Sequence, residues 1–173
     1  MTSEPAPTPS TPQSPGALPA RAATAIDAVA DSYTGTLIEL SPSFATTLGV
    51  PGHETEYQDY SPAGLEAFAE AARETLERLS DLSPADDVDA VTLDAMRERL
   101  GLEMEIHDTG LNLSDLNNIA SPAQEIRAIL DLMPTSTAVE WGHIAGRLHN
   151  IPDALAGYAS SLREGRNRGL VAA

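Results

Sequence analysis

The feature that most constrains this chain is the spacing of its apolar residues, which recur at three and four positions along almost every segment after about Ala20. That period places them on one side of a helix, and no stretch alternates as a half-buried strand would. From Ala20 to Leu40, Ile26, Val29, Tyr33, Leu37 and Leu40 share such a face. A short helical turn is expected through Phe44 to Leu48, with Gly49 as a left-handed cap and Pro51 blocking continuation. Gly52 to Tyr60 reads as a polar loop.

Ser61-Pro62 opens the next helix, with Ser as cap and Pro at the first helical position, where its missing N–H costs nothing. Leu65, Phe68, Ala69, Ala72, Leu76 and Leu79 line one face and charged residues the other, the pattern of an outer bundle helix. The helix expected from Val88 to His107 carries two stripes. Leu93, Met96, Leu100, Met104 and His107 fall on one side, while Val88, Val91, Ala95, Leu102 and Ile106 fall on the other. This predicts a central helix buried on two sides. Asp108 to Ala120 is a polar connection. Ser121-x-x-Gln124 and Thr137-x-x-Glu140 are capping boxes opening two further helices, the second with Trp141, Ile144, Ala145, Leu148 and Ile151 on one side. Pro134 ends the first of these, and Pro152 is read as starting a last helix to about Arg168. The expectation is an all-α, multi-helix bundle over residues 18–173. Residues 1–17, dominated by Pro, Ser and Thr, are expected to be a disordered tail.

Composition narrows function. The net charge is −16, and all ten basic residues are Arg. Such a chain repels phosphate backbones and anionic lipid, and the cluster Arg163, Arg166 and Arg168 reads as a solvated helix end complementing the helix dipole. No nucleic acid or membrane partner is expected. No Cys is present, which removes disulfides and thiolate chemistry. With no apolar run of spanning length and no secretion signal, cytoplasm is the expected compartment.

Candidate chemistry is sparse. Glu103 and His107 lie four apart on one helical face, and Glu140-x-x-His143 has the spacing found in di-iron bundles, but that pattern needs two such units and further glutamates. His107 reads more simply as a core or interface histidine. His53-Glu54 lacks the second histidine four positions on that a zinc helix needs, since position 57 is Tyr57. No nucleophile elbow, phosphate loop or dinucleotide fingerprint occurs. No catalytic residue and no metal ligand is assigned.

Several phrases in order, Leu48-Gly-Val-Pro-Gly-His53, Asp59-Tyr-Ser-Pro-Ala-Gly64, the run Asp86 to Leu100, Leu116-Asn-Asn-Ile-Ala-Ser-Pro122 and Ile126 to Pro134, resemble the amino-terminal portion of the bacterial domain-of-unknown-function-885 family, actinobacterial type. The resemblance implies a large helical protein similar to zinc metallopeptidases, with the zinc helix in a carboxyl-terminal half that this sequence does not contain. On that reading zinc belongs to the full-length family, and this chain alone is inactive and walls a substrate channel for a peptide-like substrate. Asn117, Asn118, Ser121, Gln124 and Arg127, gathered at a helix amino end, are the candidate substrate-binding residues. Simple capping with an Arg127 to Asp131 salt bridge accounts for the same residues. The alternative is a self-contained helical interaction module without catalysis. Self-association through exposed apolar helix faces is compatible with either.

Overall fold

A computed structural model describes residues 21–171, and the tail assigned to residues 1–17 lies outside them. The described chain is all-helical: α1 (Ala25–Leu40), α2 (Pro42–Leu48), α3 (Pro62–Ser80), α4 (Asp87–Thr109), α5 (Pro122–Ala128) and α6 (Ala138–Asn167), with single 3-10 turns at Leu111–Ser114 and Ile129–Leu132. No strand occurs among the described residues. Their boundaries follow local chemistry. Thr24 caps α1 in a reciprocal box, its hydroxyl accepting from the Asp27 N–H at 3.2 Å while the Asp27 carboxylate accepts from the Thr24 N–H at 2.9 Å. Ser61 and Asp86 cap α3 and α4. Gly49 and Gly110, at φ 73° and 71°, end α2 and α4 in the left-handed region that other residues avoid. The boxes read at Ser121 and Thr137 are both formed.

α3 packs against both α1 and α4. Ile26, Val29, Leu79 and Leu93 close the core between them. α3, expected to be an outer helix, is therefore the central one. Its small residues explain the difference: Ala69, Ala71, Ala72 and Thr75 are all buried, and side chains this short let neighbours approach from two sides. Thr75 hides its hydroxyl by donating to the Ala71 carbonyl at 2.7 Å.

α4 departs from expectation in the opposite sense. Its Leu93 and Leu100 are buried, yet Val88, Val91 and Leu102 of the second stripe are 54%, 70% and 43% exposed. The double burial read from the sequence is thus not found. Neighbours cover one side of this helix, and no described element covers the other.

The last two predicted helices are one. α6 runs through Pro152, whose ring forfeits one backbone bond toward exposed Leu148 while both flanks are held by packing. Its buried face is Ile144, Arg147, Ala154, Tyr158, Ser161 and Gly165, so Trp141, Ala145 and Leu148, expected inside, lie outside. The cause is the segment before α3, which docks on α6 through polar contacts. The Arg147 guanidinium donates to the His53 carbonyl at 2.7 Å and to the Thr46 hydroxyl at 3.0 Å, Asn150 donates to the Thr55 carbonyl at 3.0 Å, and Ser161 donates to the Tyr60 carbonyl at 2.7 Å. Tyr60, Ile126, Ala154 and Tyr158 form a second core there. Gly165 permits a close approach, since a Cβ at that position would clash with the Leu113 carbonyl.

Candidate functional site

The four-residue spacing of Glu103 and His107 does place both on one flank of α4, but each has its own partner. Glu103 accepts from the Tyr33 hydroxyl at 3.2 Å. Burial first, and that carboxylate second, push the Tyr33 phenol above its ordinary value. His107 meets Glu66 through Nε2 at 3.1 Å, while its Nδ1 is buried with no protein partner. His53 sits 3.3 Å from Glu56. Among the described residues no three metal-binding side chains gather. A hydrolytic zinc needs three protein ligands converging on one point, and these pairs do not provide them. The residues present therefore do not fit the zinc that the sequence resemblance implies for the larger family.

What the fold does build is a set of three hollows that share walls. The first, about 390 Å³, opens between α1, α2, α3 and α4, with Leu37, Phe44, Leu65, Phe68 and Ile106 as its apolar walls and Glu103, His107, Gln58 and Asn112 as polar points. A second, about 510 Å³, shares Ser41, Phe44 and Gln58 with it and continues past Tyr60 to Glu125, Ile129 and Leu132. A third, about 570 Å³, shares Ile106 and Asn112 and is completed by Leu111, Asp115, Leu116, Asn117 and Val171. Volumes of this size, with mostly apolar walls and few polar groups, suit side chains of a ligand. The Ser41 hydroxyl donates to the Gln58 side-chain carbonyl at 2.6 Å, which fixes one shared wall.

The hollows have a consistent sign. Each contains one carboxylate, Glu103, Glu125 or Asp115, and no arginine. Glu125 is held above the usual carboxylate range, mainly by burial and secondly by the like charge of Asp115.

Of the residues singled out from sequence, Asn117 reaches a wall of the third hollow. Its side-chain oxygen also accepts from the N–H groups of Ile119 and Ala120 at 2.9 and 2.8 Å. Gln124 accepts from the Ser121 N–H at 3.0 Å and donates to the Asn117 carbonyl at 3.2 Å. Ser121 is buried beneath this cap, Arg127 pairs with Asp131, and Asn118 is exposed. The five are brought near one another, but their polar groups are largely spent on the turn itself. Phe44, Gln58, Asn112 and Glu125 were not visible as site residues. One signal was present: Tyr57 and Tyr60 are aromatic residues in a segment otherwise polar, and Tyr57 proves to donate to the Ile126 carbonyl at 2.8 Å.

The profile of a family described as "Bacterial protein of unknown function (DUF885)" matches residues 42–173. No curated protein matches the chain.

Proposed function

Because that match spans well over half of its length, this chain belongs to the DUF885 family of bacterial proteins, and from that premise we propose that it forms a helical wall of a peptide-binding channel in a zinc-peptidase-like protein. The observation that carries the reading is the trio of hollows sharing walls, since an extended peptide needs successive apolar recesses rather than one deep cavity. The hydrolytic zinc, on this reading, is held by other polypeptide. Two exposed ridges support that division: Val88, Val91 and Leu102 on α4, and Val139, Trp141, Leu148 and Leu155 on α6, all at least 40% exposed. The turn bearing Asn117, Asn118 and Ser121, with Gln124 and Arg127 on the helix it opens, is the rim of the channel on this reading, Asn117 lining the third hollow. The setting proposed is the cytoplasm; among the described residues no helix is long and apolar enough to cross a membrane.

The two closed cores favour a second reading, a self-contained binding module without any catalytic partner. Both readings require ligand binding, and one experiment reaches them. Labelled extended peptides titrated into the chain should give saturable anisotropy changes, weakened about tenfold by Asn112→Trp, which fills the wall shared by two hollows. No saturable binding by any peptide would remove the channel. Peptide cleavage by the isolated chain with added zinc would remove the proposed division of labour.

A further inference from the structure

Resting on the channel reading, a narrower conclusion concerns what the hollows select. Their walls are apolar, so Leu or Phe side chains entering them are favoured by burial. Their charged points are carboxylates, with one histidine, His107, in the first hollow facing Glu66. Glu103, Glu125 and Asp115 stand one to a hollow, and no arginine lines any of the three. Among the described residues none of the three is in an ion pair: Glu103 accepts from the Tyr33 hydroxyl and Asp115 from the Asn117 amide at 3.2 Å, both neutral donors. The nearby cations are committed elsewhere, Arg127 to Asp131 and Arg73 to Glu66 and Glu70. All three carboxylates are solvent-exposed at the edge of apolar wall, where an arriving cationic head can pair with them.

We propose that this site takes extended peptides combining apolar side chains with Arg or Lys, and discriminates against acidic ones. The long aliphatic stem of Lys or Arg lies along apolar wall while its head meets the carboxylate, a division that suits these recesses. Asp115 adds to the cost of ionising Glu125, and a cation arriving beside them relieves that repulsion. An acidic peptide would instead add a like charge at each recess, a penalty that sets specificity as well as affinity.

Three labelled peptides of equal length test this, sharing Leu and Phe positions and differing at the positions between, which are Arg, Gln or Glu. Measured by anisotropy at near-physiological salt, affinity should fall in that order, with about tenfold between the Arg and Gln peptides. The double variant Glu103→Gln with Glu125→Gln should abolish the advantage of the Arg peptide and leave the Gln peptide unchanged. Asp115→Asn alone should reduce the same advantage in part. Because a chain of net charge −16 attracts any cation, Glu74→Gln with Glu77→Gln on the exposed face of α3 is the control, and it should leave the ranking intact. Equal binding of all three peptides, or an equal loss in the α3 control, overturns the selectivity while leaving the channel standing. Failure of all three peptides to bind takes the channel down with it.

Discussion

Where α1, α3 and α4 meet, Ile26, Val29, Leu79 and Leu93 close a core of aliphatic side chains. Where α5 and α6 meet the segment before α3, Tyr60, Ile126, Ala154 and Tyr158 close one in which polar groups do much of the fastening. Tyr158 donates to the Asp115 carbonyl at 2.5 Å, Tyr57 to that of Ile126, and Arg147 to that of His53. The first region is stabilised by burial that depends on volume and shape. The second is stabilised by directed bonds between side chains and backbone that tie segments with no regular structure to the helices. Such bonds position a loop in a way burial alone does not. The first hollow draws walls from both regions, so rigid helices supply one side and the fastened segment around Gln58 the other.

The sharpest way to break this comparison is to truncate in the first core. Leu79 is fully buried, and Leu79→Ala should cost about 3 kcal/mol, read as a shift of the urea midpoint without a change of slope. In the second region, Arg147→Ala should cost about 2 kcal/mol, because it takes the donor from the part-buried His53 carbonyl as well as leaving a void where a fully buried side chain stood. Arg147 carries no carboxylate partner among its contacts, and burial lowers its basicity. Arg147→Met should therefore recover a good part of the loss, whereas a replacement in the first core must restore shape. Tyr158→Phe removes one hydroxyl and should cost about 1 kcal/mol. A cost for Tyr158→Phe above that of Leu79→Ala would reverse the assignment of the two regions.

The smallest effect concerns Glu125. Its pKa is raised in the folded chain, so the folded state holds the proton more tightly than the unfolded chain does. Its contribution is favourable below the ordinary carboxylate value and is lost as pH rises through the folded one. Glu125→Gln should then stabilise the chain by about 0.5 kcal/mol or less near neutral pH, solvent screening keeping the figure small. The gain should vanish by about pH 4, and thermal melts across that range will show whether it does.

The contrast between the regions also decides what could be read from the sequence. α1, α4 and the caps at Gly49, Ser121 and Thr137 were legible because apolar spacing and capping residues act within a few positions of one another. The central place of α3 was not, since alanine adds little to an apolar pattern while permitting close packing. The buried face of α6 carries Arg147, Ser161 and Gly165, which periodicity assigns to solvent. Pro152 looks locally like a helix start, and only packing on both flanks shows that the helix continues. The pair Glu103 and His107 was visible, but the hollow beside it is not, for it needs Leu37, Phe44 and Gln58 from segments far apart in the chain.

The bare second stripe of α4 carries a consequence for how copies of this protein treat one another. In dilute buffer, mutual repulsion between strongly anionic surfaces acts over tens of ångströms and keeps those greasy ridges from meeting. At about 1 M salt that reach shrinks to about 3 Å, and the ridges come within range of contact. Raising ionic strength should accordingly drive colloidal association, the opposite of what it does to assemblies joined by ion pairs.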